Sequence, residues 1–261
     1  MIGHVPPEKM QCAFAGVSAN ELTRFADQRA MTSTMTRNDA GRSKSARGRT
    51  DTLSRVHDPE GTKQNIIEIA TDEFARKGYS GARIDEIAAR TNTSKRMIYY
   101  YFGDKEGLFV AVLEEAYRRI RQIESTLDLD HLAPEEAIAA LVGFTFDYQN
   151  ANSDFIRLVM VENIHNAVHL ARSRVIQELN VSVINTLRRI YERGRKAGLF
   201  RDGIDEIDLH MSISALCFFN VSNRATFSQI FKRDMSAPEA LAKRRQIVID
   251  TIIRYLRRDA A

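Results

Sequence analysis

The fold of this chain is decided by residues 83–102, which read RIDEIAARTNTSKRMIYYYF. Ile84, Ile87 and Ala88 recur at the spacing of one buried helical face, which predicts a first short helix. Asn92 falls where the chain must turn, and Asn tolerates the left-handed backbone conformation better than most residues. The stretch is therefore predicted to form two short helices joined by a tight turn.

The second of these helices combines an apolar face with a polar, aromatic one. Thr93 or Ser94 can cap it. We expect the inward face to carry Met97, Ile98, Tyr101 and Phe102, and the outward face to carry Ser94, Lys95, Arg96, Tyr99 and Tyr100. Cations and hydroxyls bond phosphates, and donors read base edges in the major groove. The pattern predicts a helix-turn-helix that presents its second helix to DNA.

With the residues that follow, this stretch resembles the DNA-binding domain of the TetR family of transcriptional regulators. In that family the recognition helix ends in Tyr-x-x-Phe, and a short turn, a Lys and a Leu follow. The matching positions are Tyr99, Phe102, Lys105 and Leu108. Upstream, the family's Phe-x-x-x-Gly-Tyr/Phe matches residues 74–79 and its Ile-Ala matches residues 87–88, so that the resemblance covers about residues 59–119.

The resemblance also implies which residues contact an operator. Lys105 is expected to meet a phosphate at the start of the following helix. Two positions depart from the family pattern: Asn92 replaces the usual Gly of the turn, and Arg83 replaces the usual Thr, so that this phosphate contact changes its donor or is lost. The predicted DNA-binding residues are Arg83, Thr93, Ser94, Lys95, Arg96, Met97, Tyr99, Tyr100 and Lys105.

The rest of the chain predicts an all-α fold with an N-terminal three-helix helix-turn-helix domain and a C-terminal helical domain, and the resemblance implies that the second domain serves ligand binding and dimerisation. Among 261 residues Trp is absent and Pro occurs five times, which favours helices over a β-sandwich or barrel. After the helix-turn-helix at 83–102, long helices are expected over residues 104–127, 134–150, 153–170, 172–195, 205–231 and 238–258. The predicted domains are 58–106 and 107–261.

Residues 1–57 are predicted to be a disordered, basic extension, because large apolar residues are scarce after Phe25. Residues 37–49 carry five Lys or Arg against Asp39 alone, whereas 58–106 is close to neutral. Two interpretations stay open for this segment. It is an arm that lies along phosphates or in the minor groove, or it is a solvated tail, with Met31 or Met35 as the true start.

The family forms a four-helix bundle between two subunits from its last two helices. In this chain residues 205–231 and 238–258 occupy those places, which implies a homodimer. Two recognition helices about one helical turn apart would read a near-palindromic operator on double-stranded DNA. The alternative is that these helices form only an intramolecular core.

The most polar patch of the second domain is residues 162–169, ENIHNAVH. On a continuous helix His165 and His169 would share one face, with Glu162 three residues before the first histidine. Three roles remain open for this trio: hydrogen bonding within the core, contact with a small effector, or binding of a divalent metal. Residues 217–224 mix aromatic side chains with amides, which is typical of a ligand pocket and equally of interface packing.

More weakly, the second half resembles TetR-type repressors of catabolic operons for nicotinate, pyrimidines and related aromatic compounds. This resemblance implies an aromatic or heterocyclic acid as effector. The candidate pocket residues are Phe144, Tyr148, Glu162, His165, His169, Phe218 and Asn220.

Signatures of enzymes are missing: the sequence contains no Gly-x-Ser-x-Gly, His-Glu-x-x-His, phosphate-binding Gly-Lys-Ser/Thr loop or Gly-x-Gly-x-x-Gly. We expect no cofactor and no bound metal. Cys12 and Cys217 do not form a Cys-x-x-Cys pair, and no run reaches the length of a membrane span, which predicts a cytoplasmic protein. Two rival functions stay open, a DNA-binding protein of this fold without an effector and a helical metal-dependent enzyme.

Overall fold

The computed structural model describes residues 58–258, and the regular elements in that range are helical, apart from one bridge between Phe200 and Arg257. The all-α prediction is confirmed. The helices are α1 (Pro59–Gly81), α2 (Ile84–Arg90), α3 (Lys95–Phe102), α4 (Lys105–Glu124), α5 (Pro134–Ala151), α6 (Ser153–Ile164), α7 (Arg174–Lys196), α8 (Glu206–Ser222), α9 (Arg224–Phe231) and α10 (Pro238–Leu256), with a short 3₁₀ helix at Leu170–Arg172.

The first three helices form a unit that we call the head. Asp58 caps α1 by accepting a hydrogen bond from the Gly61 amide at 2.9 Å, and Pro59 follows in the first turn, where a missing amide donor does no harm. Gly78 interrupts the regular geometry of α1 with φ of 70°, a conformation that glycine adopts without strain. The head's core is built on the fully buried side chains of Ile66, Phe74, Ile87 and Ile98.

The core of the head continues without a break into the helices that follow it. Leu108, Phe109 and Val112 of α4 belong to the same hydrophobic cluster, as do Leu158 of α6 and Ile176 of α7. Helix α6 packs against α1, and α7 packs against α4. The head therefore shares an apolar interface with α4, α6 and α7 and is not connected to them by a linker alone.

Helices α5 to α10 form a unit that we call the body, with its own core. This core is drawn from α5, α7, α8 and α10 and includes Leu141, Phe146, Leu187, Ile213, Cys217 and Ile252. Cys217 is fully buried, and burial raises the pKa of its thiol to about 12. The thiol is therefore uncharged at neutral pH and packs as a small hydrophobe.

The end of α10 is tied back to the body. Arg257 pairs with Phe200 through the backbone and forms a bidentate ion pair with Glu135 of α5, with distances of 2.7 and 3.0 Å. The Phe200 ring lies where a side chain at Gly194 would be, because a Cβ there would come within 2.0 Å of the ring. A glycine is therefore required at this crossing.

Two predicted helices differ from the structure. The helix expected over 153–170 ends at Ile164, since Asn166 and Ala167 adopt positive φ of 55° and 57°. The helix expected over 205–231 is two helices, α8 and α9, separated at Asn223. The predicted N-terminal extension and Cys12 lie outside the described residues. No helix among residues 58–258 has both the length and the apolar character needed to cross a membrane.

Candidate nucleic-acid interface

The turn between α2 and α3 has the conformation that the sequence predicted. Asn92 is left-handed, with φ of 51°. Around it, the Thr91 hydroxyl donates to the Ile87 carbonyl at 2.9 Å, and the Thr93 amide donates to the Ala88 carbonyl at 3.1 Å. These bonds satisfy the end of α2 and fix the direction in which α3 leaves it.

Helix α3 is anchored on one face and exposed on the other. Ser94 caps it, accepting the Met97 amide at 3.2 Å. Ile98 is fully buried, and Tyr101 and Phe102 pack against the head's core as partly buried residues. The predicted outward face is exposed, with Tyr99 at 44% and Tyr100 at 77%. These two aromatic side chains are thus available for contact with a partner.

The cations beside this face are held loosely. Lys95 pairs with Asp85 of α2, but both side chains are about half exposed, and such pairs contribute little. Lys95 can therefore exchange its carboxylate for a phosphate at small cost. Arg83 precedes α2, where its backbone amide donates to the Glu73 carboxylate at 3.3 Å and its side chain is exposed. Both positions fit the predicted contacts to a DNA backbone.

Lys105 is held more firmly than the other predicted contact residues. Its ammonium lies 5.0 Å above the ring of Tyr79 and 3.4 Å from the Ser80 carbonyl. Burial lowers the pKa of this ammonium from its ordinary value. Lys105 is thus a half-buried cation at the start of α4, resting on an aromatic ring of the head.

The polar patch of the second domain is a buried hydrogen-bonded pair. Glu162 is fully buried and accepts two hydrogen bonds, one from His169 Nδ1–H at 2.5 Å and one from the Leu170 amide at 2.9 Å. The His165 Nδ1–H donates to the Val161 carbonyl at 2.8 Å. Because the helix ends at Ile164, His165 and His169 do not lie on one helical face, and the expectation of a shared face was wrong.

The seven predicted pocket residues fall into separate places. Glu162, His165 and His169 lie against Tyr79 of the head. The other residues form two further groups. Phe144 and Tyr148 join an apolar cluster with Ile120 and Phe155, while Phe218 is half-buried on α8 and Asn220 donates to Asn150 at 3.0 Å.

Sequence reasoning missed a second polar group, Arg121 and Glu124, which follows Ile120 of the apolar cluster near the end of α4. Arg121 of α4 is 90% buried: only 10% of its side chain is exposed, it pairs with Glu124, and its Nε has no hydrogen-bond partner among the described residues. The pKa of His210 on α8 is lowered to about 4, mainly by burial and further by the positive charge of Arg121. The available signal was the spacing of Tyr117, Arg121 and Glu124, which places the three side chains on one face of α4.

The metal-binding alternative finds no support in this geometry. The described residues contain no group of three or more His, Cys, Asp or Glu side chains placed to hold a metal ion. Both carboxylate oxygens of Glu162 are already engaged by His169 and Leu170.

The outer side of the body carries an exposed apolar stripe on α8. Ile207, Met211 and Phe219 are 63%, 62% and 44% exposed, whereas Leu209, Ile213 and Cys217 on the same helix are buried. Further exposed apolar side chains follow on α9 and α10: Ile230, Phe231, Ile247 and Tyr255. A helix that is apolar on both faces is typical of one that is buried on two sides.

Comparison with known proteins places both halves of the chain. The family model described as bacterial regulatory proteins of the tetR family matches residues 66–112, and the one described as the tetracyclin repressor-like C-terminal domain matches residues 134–252. The HTH-type transcriptional repressor NicS of Pseudomonas putida is 37% identical over 204 residues, covering 78% of this chain and 96% of that protein. The HTH-type transcriptional repressor SCO4008 of Streptomyces coelicolor is 32% identical, covering 62% of this chain and 79% of that protein.

Solved structures share the fold. A bacterial regulatory protein in the tetR family from Rhodococcus RHA1 has a TM-score of 0.60 at 20% identity, covering 76% of this chain and 98% of that one. The fatty acid degradation regulator FadR from Bacillus halodurans has a TM-score of 0.56 at 21% identity, covering 72% and 94%.

Proposed function

This chain belongs to the TetR family of bacterial regulatory proteins and is a DNA-binding transcriptional regulator, not an enzyme; from that premise we propose that it is a homodimeric repressor which a small aromatic or heterocyclic acid releases from its operator. In this proposal residues 58–106 bind DNA, and residues 107–261 bind the effector and the second subunit.

The exposed face of α3 is the observation that carries the DNA-binding part of the proposal. The cap at Ser94 and the buried Ile98 fix the helix, while Lys95, Arg96 and Tyr100 project from it into solvent. Side chains on the first turns of such a helix reach base edges, and flanking cations such as Arg83 and Lys105 reach phosphates.

Operator binding is tested on the DNA just upstream of the chain's own gene, at several stated salt concentrations. We expect a protected near-palindrome and a weaker complex for Lys95→Ala and for Arg96→Ala. Lys196→Ala, which removes an exposed cation at the end of α7, is the matched control and should bind like wild type. Unchanged affinity in both α3 variants would exclude α3 as the recognition helix.

The apolar stripe of α8 supports the homodimer. Ile207, Met211 and Phe219 recur at four- and eight-residue intervals along one face, which is the pattern of a helix seam. We propose that α8, α9 and α10 meet their counterparts across a two-fold axis. Two heads related by that axis would read the two halves of a near-palindromic operator.

For the effector, we propose that its carboxylate is held beside Arg121 and its ring lies against the aromatic cluster of Phe144, Tyr148 and Phe155. Arg121 is a buried cation with an unsatisfied Nε, and His210 is neutral at physiological pH and so can donate a hydrogen bond. Glu162, His165 and His169 already bond one another or neighbouring backbone groups, so they suit a role other than carboxylate binding.

Effector binding is tested by thermal shift with benzoate and nicotinate, and with benzamide and nicotinamide as uncharged controls. A ligand that binds only the native state raises the melting temperature by mass action. We expect stabilisation by an acid, none by its amide, and loss of the effect in Arg121→Met. The acid should also release the operator, because it can shift the equilibrium only by preferring the non-binding conformation.

The alternative is a regulator of this family without a small-molecule effector. It is favoured if the operator complex is tight and none of these acids stabilises the protein or releases the DNA.

A further inference from the structure

The connection between α6 and α7, residues 164–173, which we call the junction turn, has a backbone that must be held by its surroundings. Asn166 and Ala167 both have positive φ, at 55° and 57°. Alanine gains nothing from this conformation, in which its Cβ is crowded, so that neighbouring contacts have to stabilise it.

Glu162 supplies those contacts. Its backbone carbonyl accepts the Ala167 amide at 2.8 Å, and its carboxylate accepts the Leu170 amide at 2.9 Å and His169 Nδ1–H at 2.5 Å. A fully buried carboxylate is expensive unless its oxygens are bonded. One side chain of α6 therefore fixes both the path of the junction turn and the orientation of the His169 ring.

The His169 ring connects the junction turn to the head through aromatic contacts. It is 4% exposed, and its centroid lies 4.5 Å from the ring of Tyr79 and 5.0 Å from that of Phe109. The same Tyr79 ring also contacts Lys105, whose ammonium lies 5.0 Å from its centroid. Contacts thus run without a gap from Glu162 in the body to Lys105 at the start of α4.

The end of the junction turn is fastened to α4 as well. Arg172 forms an ion pair with Glu106 at 2.6 Å, and the Ser173 hydroxyl donates to Glu114 at 2.6 Å. Glu106 directly follows Lys105 in the chain. The turn therefore contacts α4 on the residue next to the predicted phosphate-binding lysine.

We propose that Glu162 and His169 are positioning residues for operator binding: through Tyr79 they hold Lys105 ready to bond a phosphate. A lysine side chain is flexible, and a phosphate contact needs less ordering when the ammonium already rests on a ring. The inference rests on the proposed function, in which Lys105 bonds the operator backbone.

The test is a double-mutant cycle on operator affinity and on its salt dependence. Lys105→Ala should weaken binding by roughly tenfold or more, because a hydrogen bond to a charged group exceeds one tenfold step. It should also reduce the salt slope by about 1.8, for one lost phosphate contact in each head. His169→Gln keeps a hydrogen-bond donor for Glu162 but removes the ring that contacts Tyr79. We therefore expect it to lower both the operator affinity and the salt slope.

The coupling between the two sites decides the outcome. If His169 acts through Lys105, the double variant should bind no more weakly than Lys105→Ala alone. Glu124→Gln, which neutralises a buried carboxylate of α4 paired with Arg121, is the matched control and should keep the wild-type slope. Additive losses, or a wild-type slope in His169→Gln, would overturn the positioning role.

A measurement on the free protein separates this inference from the proposed function. The rate at which acetic anhydride modifies Lys105, followed by mass spectrometry, should rise in His169→Gln and in Glu162→Gln, and stay unchanged in Glu124→Gln. Unchanged rates in the first two variants overturn the inference even if the operator is bound. An absent operator complex together with raised rates counts against the proposed function alone. Circular dichroism checks that His169→Gln folds. If it does not fold, Glu162→Gln replaces it in the double-mutant cycle with Lys105→Ala.

Discussion

The exposed stripe of α8 makes a quantitative prediction about association. Full burial of an apolar side chain of this size contributes about 1.5–3 kcal/mol. Ile207 and Met211 leave 63% and 62% of their surface exposed. Burying both copies of these two residues in a dimer therefore contributes about 4–7 kcal/mol, on the same scale.

Met211→Asp should break this association. The substitution removes the burial of two methionine side chains, which contributes about 2–4 kcal/mol to dimer stability. It also adds the desolvation cost of two buried carboxylates. We expect the dimer to be weakened by at least about 3 kcal/mol, which is more than roughly a hundredfold in Kd. Operator affinity should fall with it, since one head reads only half of a two-fold site.

Sedimentation velocity over a range of protein concentrations measures this change. Val181→Asp is the matched control, because Val181 is 56% exposed on α7, outside the stripe, and should leave the dimer intact. Circular dichroism should show that both variants keep their helices. A Met211→Asp protein that sediments as a dimer at the same concentrations as wild type would refute the assignment of α8 to the interface.

Three further outcomes follow from local contacts. Ser94→Ala removes the acceptor for the Met97 amide and should lower the free energy of unfolding in urea by about 1 kcal/mol, whereas Thr93→Ala, which leaves that cap in place, should change it less. His210 has a pKa of about 4 in the folded chain against an ordinary 6.5, so the unfolded chain binds the proton more tightly. The free energy of unfolding should therefore fall as the pH drops from 6.5 toward 4. Melting curves recorded over this pH range should show a smaller loss for His210→Gln. Gly194→Ala places a Cβ 2.0 Å from the Phe200 ring and should destabilise the body by about 1–3 kcal/mol, while Gly81→Ala, whose nearest neighbour is Lys77 Cβ at 3.4 Å, should not; equal melting temperatures for the two variants would contradict the packing argument.

The helix-turn-helix could be predicted residue by residue because its determinants are local. The burial of Ile84, Ile87 and Ala88 follows from their spacing, the left-handed turn from the tolerance of Asn92, and the start of α3 from the hydroxyl of Ser94. Each of these features is set by residues within four positions of one another. The helix-turn-helix can therefore be predicted from the sequence of residues 83–102 alone.

The end of α6 could not be predicted in the same way. Val161, Ile164 and Val168 continue a helical apolar spacing past the true end, yet Ile164 and Val168 are 74% and 53% exposed. The turn at Asn166 and Ala167 depends on hydrogen bonds to Glu162 and on contacts of His169 with the head. Such contacts join distant parts of the chain, and spacing along a helix does not reveal them.

For the same reason, the sequence could predict only in part which of the seven candidate pocket residues lie together. Phe144 and Tyr148 do share one cluster, since they lie four residues apart on α5. Arg121 and His210 are 89 positions apart, and only the tertiary fold brings the charge of one close enough to lower the pKa of the other. Glu162 and His169 belong to the junction with the head because α6 packs on α1.

The apolar cluster that head and body share bears on how new regulators can be built from this one. A chimera that exchanged only the helix-turn-helix would be cut in the turn between α3 and α4. Here that cut would leave Leu158 and Ile176 facing a foreign surface, because both are buried against the head's core. The transplantable unit of this regulator is larger than its helix-turn-helix and must include α4 together with the matching faces of α6 and α7.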